Sequence, residues 1–272
     1  MFQVRQIDNL DLPELAPYRT LKRPTEHEAQ GIFVAEGDKV VRRLLQSHFQ
    51  VLSVLLPAAR LAEFEPLLAT RLENEIPVYS VSKKSVLEEL VGFEMFQGVL
   101  AIGRIPAATT LDSILVAPKP RLFVAVDGLT SAENMGVLTR NCAAFNVHAL
   151  IVGETCASPF LRRAVRNSMG TIFRLPVLQS DNLAGTIAGL RQHGVRCLAA
   201  HPHAQQSYLG RTNLTGDCCI VFGSEGHGIS PEVLAACDDA VAIPMTEGVD
   251  SLNVSAAAAV FLYEASRQRV RM

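Results

Sequence analysis

An α/β protein in two units is the fold class this sequence predicts, with a mostly parallel, doubly covered sheet in the second unit. Three observations carry that reading. Strand-like and helix-like patterns alternate along nearly the whole chain. A proline-bearing stretch, IPAATTLDSILVAPKP at 105–120, separates two regions of different composition. Beyond it, strand candidates such as RLFVAVDGL are almost wholly apolar, as strands buried on both faces are.

The elements follow in order. Residues 1–20, with Pro13 and Pro17, read as an irregular arm. GIFVAEG is a strand, and KVVRRLLQSH an amphipathic helix with Val40, Val41, Leu44 and Leu45 on one face. VLSVLLP, IPVYSVS and QGVLAIGRI are further strands, with RLAEFEPLLATRLEN and KKSVLEELVG as helices between them. This α/β unit, 21–104, gives way to the linker at 105–120. In the second unit, 121–272, RLFVAVDGL, HALIVG, FRLPVL, VRCLAAH, CCIVF and AVAIPM read as strands. GVLTRNCAAFN, PFLRRAVRNSMG, LAGTIAGLRQHG and PEVLAACD are the intervening helices, and an Ala-rich helix follows SLNVS.

Composition narrows the function classes. The 272 residues are 49% hydrophobic and 19% charged, a globular balance. Net charge is −2, so a nucleic-acid partner would have to meet local basic clusters rather than a basic surface. Arg19, Lys22 and Arg23 form one such cluster and Arg162, Arg163 and Arg166 another; solvated faces are the plainer reading of each. The N-terminal residues lack the apolar core of a secretory leader, and no apolar run is long enough to span a bilayer. Six cysteines all follow residue 140 without a C-x-x-C pair, which suits buried thiols in a reducing cytoplasm and not a zinc site.

Three polar, Gly-bearing loops follow buried strands in the second unit, where open parallel sheets bind ligands. The first holds Asn134, Gly136 and, inside the next helix, Arg140. Taken alone, Asn134 is a helix cap, Gly136 a turn residue and Arg140 a surface cation. The second, FGSEGHGIS, has Gly223, Gly226 and Gly228 for close backbone approach or positive φ, but matches neither a dinucleotide fingerprint nor a Walker loop. Its Glu225 has a structural and a substrate-binding reading of equal weight. The third, SLNVS, offers Ser251, Asn253 and Ser255, all good cap residues where a helix needs one.

Together, and in this order, the loops resemble the three motifs of the SpoU family of RNA ribose methyltransferases, of the SPOUT class with a trefoil-knotted C-terminus. The motifs are N-x-G-x-x-x-R (Asn134, Gly136, Arg140), G-x-E-x-x-G (Gly223, Glu225, Gly228) and the stretch from Ile243 to Ser255. RNSMGTIFRLPV resembles the family's intermediate segment. GIFVAEGDKVVRRLL and FQGVLAIGR look like its substrate-binding domain, which is similar to small ribosomal RNA-binding proteins. Departures are Ala132 and Glu133 before Asn134, where many members have a Pro-containing turn, Gly248 one place later than is usual, and His27 where an arginine is expected.

The resemblance implies methyl transfer from S-adenosylmethionine to a ribose 2′-hydroxyl of a structured RNA, ribosomal rather than transfer RNA, by a cytoplasmic homodimer without a metal. It implies a catalytic set of Arg140, Asn134, Glu225, Ser251 and Asn253, and cofactor contacts from Gly223, Ile243, Met245 and Leu252. Arg19, Lys22, Arg23 and Lys39 are the candidates for RNA phosphates. A member that binds RNA without catalysis is the rival that keeps the fold. A nucleotide-dependent oxidoreductase would need a G-x-G-x-x-G at the first strand–helix turn, which is missing.

Overall fold

The computed structural model describes residues 2–73, 75–82, 87, 98–202, 204 and 207–269. In chain order its elements begin with β1 (Phe2–Ile7), α1 (Ala16–Arg19), α2 (Pro24–Ala29), β2 (Ile32–Glu36), α3 (Asp38–Leu45), β3 (Val51–Pro57), α4 (Leu61–Ala69), β4 (Ile76–Val81) and β5 (Leu100–Arg104). They continue with α5 (Leu111–Leu115), β6 (Leu122–Val126), α6 (Ala132–Ala144), β7 (Ala149–Val152), α7 (Arg162–Asn167), β8 (Val177–Gln179) and α8 (Leu183–Gln192). Last come β9 (Arg196–Ala200), β10 (Cys218–Phe222), α9 (Pro231–Ala236), β11 (Asp239–Val241) and α10 (Val254–Arg269). The helix expected at 83–92 lies, apart from Leu87, outside the described residues. The chain forms two compact units, Met1–Ala107 with Phe160–Phe173, and Ala108–Pro159 with Arg174–Met272.

The first unit is a five-stranded mixed sheet in the order β1-β4-β3-β5-β2. β1 lies within the stretch read as an irregular arm. It pairs in parallel with β4, but as an edge strand it buries only Ile7, and the alternation of Phe2 and Val4 with polar residues breaks at Gln6, too short a pattern to announce it. Residues 160–173 also pack on this unit, although the resemblance puts them with the catalytic half. Phe160 and Phe173 stack against Phe33 at 5.8 and 5.4 Å between ring centroids. Arg43 Nη1 donates to the Met169 carbonyl at 2.7 Å.

The second unit is a six-stranded sheet in the order β11-β9-β10-β6-β7-β8, parallel throughout. Residues Leu122–Val126 and Cys218–Phe222 are buried at every position, which explains their unbroken apolar character. Helices α5, α8 and α9 cover one face: Ile114, Ile187 and Val233 join a core with Phe123, Ile151 and Val221. The expected linker thus contains α5, opened by a capping box at Thr110. On β10, Phe222 meets Phe261 of α10 edge-on at 5.6 Å. The strand AVAIPM is shorter than expected. It ends at Val241, Ala242 adds one bridge to Tyr208, and Pro244 has no N–H to continue the ladder. In a parallel sheet the carboxyl ends of β6, β9, β10 and β11 share one edge, and there the polar loops gather.

Candidate active site

At the end of β6 the helix starts earlier than expected. Ser131, not Asn134, is the cap: its Oγ accepts the Asn134 amide at 3.2 Å. Asn134 is therefore inside the first turn of α6 with its side chain released from capping, and Gly136 is a buried helical residue rather than a turn. The loop is braced from both sides. Asp127 Oδ2 accepts the Ser230 amide at 2.7 Å, and Cys156 Sγ accepts the Leu129 amide at 3.3 Å. Burial pushes the Cys156 thiol up, so it stays a neutral donor to the Val126 carbonyl at 3.2 Å.

The loop after β10 folds back on itself. Ser224 and Gly228 exchange backbone hydrogen bonds of 2.9 and 3.0 Å. A Cβ on Gly223 would lie 2.1 Å from the Gly228 carbonyl carbon, so glycine is required there by the chain's own return path. Gly228 has φ +72°, whereas Gly226 has no such φ and open space around it. This closed loop holds Glu225 exposed at its tip.

The loop after β11 explains the displaced glycine. The Val249 amide donates to the Thr246 carbonyl at 3.2 Å, and Gly248, third in that turn, has φ +87°. A positive φ at the third position calls for glycine. The loop ends at Asn253, whose Oδ1 accepts the Ser255 and Ala256 amides at 3.0 and 3.4 Å, capping α10.

The three loops meet at the other end of that same side chain. Asn253 Nδ2 donates to Glu225 Oε1 at 2.6 Å and to Asn134 Oδ1 at 3.2 Å. Ser255 Oγ donates to the Asn134 carbonyl at 3.1 Å, and Asn141 Nδ2 to the Ser255 carbonyl at 2.8 Å, fastening α10 to α6. The surplus of polar residues in SLNVS is thus divided: Asn253 caps and bridges, Ser255 fastens, and Ser251 stays exposed.

A cavity of about 330 Å³ opens beside this junction, within the size range of small-molecule sites. Gly223, Ile243, Met245 and Leu252, expected to hold a cofactor, all line it, as do Glu225 and Ser251. His201, His227, Asp250 and Phe261 also line it and were not foreseen. His201 follows β9, which carries no Gly-rich signal; only the strand order brings it here. Asn134, Arg140 and Asn253 are outside the lining. Arg140 lies six residues beyond Asn134, ~9 Å along the axis of α6. It is exposed and makes no hydrogen bond or ion pair among the described residues. S-adenosylmethionine fits this lining. Apolar side chains and glycine backbone suit its nucleoside and thioether carbons, and the Glu225 and Asp250 carboxylates suit a cationic ligand without phosphates.

The candidate RNA contacts are divided. Lys22 and Lys39 are exposed and, among the described residues, have no hydrogen bond or ion pair. Arg23 pairs with Glu26 at 3.0 Å. Arg19 Nη1 donates to the carbonyls of Leu10 and Leu12, tying down the N-terminal segment. Of the second basic cluster, Arg162 and Arg166 lie 3.2 and 3.0 Å from the buried Glu36 and neutralise it. His27 is buried too, its Nε2–H donating to the Pro17 carbonyl at 3.0 Å.

Comparison with known proteins adds to this geometry. A model described as the SpoU rRNA Methylase family matches residues 121–263, and one described as RNA 2′-O ribose methyltransferase substrate binding matches 34–107. An uncharacterized tRNA/rRNA methyltransferase of Mycobacterium tuberculosis is 34% identical over 272 residues, covering 97% of this chain and 92% of that one. The 23S rRNA (guanosine-2′-O-)-methyltransferase RlmB of Vibrio cholerae is 32% identical over 210 residues, covering 75% and 83%. The crystal structure of the SpoU methyltransferase AviRb from Streptomyces viridochromogenes with AdoMet superposes with a TM-score of 0.80 at 26% identity, covering 93% and 96%.

Proposed function

Because this chain belongs to the SpoU rRNA methylase family, we propose that it methylates a ribose 2′-hydroxyl of ribosomal RNA, with a guanosine of the large-subunit RNA as the first candidate. The family's reaction is RNA methyl transfer from S-adenosylmethionine. The observation that carries the reading of this site is the junction of Asn134, Glu225 and Asn253 beside a cavity fit for that cofactor.

When bound, the cofactor supplies an electrophilic methyl group on a sulfonium. The protein's share is to place a weakly acidic hydroxyl in line with it and to stabilise the charge that develops on oxygen. A guanidinium is a donor-only group and a poor general base, so we assign Arg140 an electrostatic role. It pairs with a phosphate next to the target ribose and favours the developing alkoxide, while the hydroxyl proton passes to a phosphate oxygen. Asn253 spends its amide N–H groups on Glu225 and Asn134, which leaves the Asn134 amide N–H groups and the outer Glu225 oxygen to orient the ribose. We assign Ser251, on the cavity lining, to the nucleotide or the cofactor's polar end. In the first unit Lys22 and Lys39 are the leading phosphate contacts, with Arg19 and Arg23 contributing from their paired positions.

We assign the active form to a homodimer. Val137 of α6 and Val260 and Tyr263 of α10 are 38%, 41% and 60% exposed on two helices joined by the Phe145–Tyr263 edge contact. Arg140 shares that face of α6, so a partner there would bring Arg140 to an interface. A trefoil knot is part of the proposal. It rests on the family resemblance; Gln268 and Arg269 of α10 hydrogen-bond the Leu214 amide and carbonyl, both at 2.8 Å, so α10 packs on the segment between β9 and β10. Six free cysteines suit a reducing cytoplasm. Mapping 2′-O-methyl groups in RNA from cells with and without the gene tests the substrate. One missing ribosomal mark is the expected result; a missing transfer-RNA mark with intact ribosomal marks would overturn the choice of RNA.

A further inference from the structure

A second depression, of about 510 Å³, adjoins the cofactor cavity and shares Pro202, Ile243, Met245 and Asp250 with it. Its wall includes Tyr208, Pro244, Glu247 and Val249. Tyr208 combines a fixed backbone with a free ring. Its main chain forms a parallel bridge with Ala242, through Ala242 N to Ser207 O and Leu209 N to Ala242 O, each 2.9 Å. Thr212 Oγ1 donates to the Tyr208 carbonyl at 3.0 Å. The side chain is 41% exposed, and among the described residues the ring has no aromatic neighbour and the hydroxyl no hydrogen bond. Tyr18 and Tyr79 are core residues, and Tyr263 leans on Phe145, so of the four tyrosines Tyr208 is the one with an open face.

We propose that this depression seats a nucleobase of the substrate RNA, stacked on Tyr208, within one nucleotide of the reacting ribose. The inference rests on the reading that the adjoining cavity holds the methyl donor. A stacking face on a rigid support is how proteins hold unpaired bases. The carboxylates of Glu247 and Asp250 in the same wall repel phosphates and accept from base N–H groups, so a base edge, and not the backbone, enters here. Guanine presents two neighbouring N–H donors to one carboxylate and fits best; uracil presents one and fits worst.

Fluorescence anisotropy of labelled UUGUU and UUUUU, with protein saturated in S-adenosylmethionine, tests this. Wild type should prefer UUGUU. Tyr208→Ala should weaken UUGUU by about tenfold, Tyr208→Phe should keep nearly all the affinity, and Glu247→Gln should narrow the preference over UUUUU. With a full-length 23S rRNA transcript, Tyr208→Ala should raise KM more than it lowers kcat. Cofactor affinity, measured calorimetrically, should be the same in Tyr208→Ala and wild type. Unchanged UUGUU binding in Tyr208→Ala overturns the proposal, as does a large loss of cofactor affinity, which would make the depression part of the cofactor site. A wild-type protein that binds cofactor but prefers neither oligonucleotide overturns this proposal alone. One that binds no cofactor overturns the reading beneath it.

Discussion

Asn253 does two things with one side chain, and substitution can separate them. Its Oδ1 caps α10, while its Nδ2 joins Glu225 and Asn134. Asn253→Ala removes both. Loss of a cap costs about 1 kcal/mol. The bond to Glu225 is short, but both partners are exposed, so its loss adds little to stability. The expected fall in melting temperature is therefore about 2–4 °C for a unit of this size. The effect on rate is larger. Freed from Asn253, Glu225 and Asn134 lose their common orientation, and transfer should slow by about 10- to 100-fold, or ~1.4–2.7 kcal/mol in barrier. Asn253→Ser supplies the discriminating measurement, because a serine hydroxyl caps as well as asparagine but does not reach as a two-handed donor. Its melting temperature should return to within about 1 °C of wild type, while single-turnover transfer to unmodified ribosomal RNA stays at least tenfold down. A serine variant that regains rate together with stability would refute the reasoning and leave Asn253 a helix cap.

Arg140→Ala should abolish transfer while cofactor affinity, read by calorimetry, survives; near-normal turnover would remove Arg140 from the site. Gly223→Ala should fail to accumulate as folded protein or lose several degrees of stability, since its Cβ collides with the Gly228 backbone, whereas Gly226→Ala should melt like wild type. Comparable losses in both would mean that loop closure is not what glycine serves at 223. The first unit should respond to acid through His27, which burial shifts below its ordinary value of 6.5 against the opposing pull of the Pro17 carbonyl and Glu26. A depressed folded-state value means the unfolded chain binds the proton more readily. The contribution is therefore intact above pH 6.5 and is lost as pH falls from there through the folded value. Denaturant unfolding of His27→Gln across that range should show a flatter pH dependence than wild type, and identical slopes would exclude His27 as the source.

Much of the architecture is legible locally. Apolar strands such as LFVAV and CCIVF announce burial on both faces, and polar loops rich in glycine announce where those strands stop. The resemblance then joined three such loops into one site. Side-chain work was not legible in the same way. Asn134 reads as a cap because cap residues look alike in sequence, and Ser131 three positions earlier satisfies the same rule. Basic residues read as candidate phosphate contacts because charge is visible while its partner is not. Arg162 and Arg166 turn out to serve Glu36, more than a hundred positions away. The edge strand β1 escaped notice because a strand that buries one residue in six needs no pattern.

Local chemistry along the chain was thus enough to set most of the strands and helices and which residue types wait in the loops, but it missed the edge strand β1 and helix α5 and misplaced the start of α6 and the end of β11. It could not set which loops become neighbours. That is a property of the sheet order β11-β9-β10-β6, which places together elements far apart in sequence and joins Asn253 to Asn134 across 119 positions. A backbone pattern is a sum of near-neighbour preferences, whereas a site is a set of long-range contacts that exist only once the strands have paired.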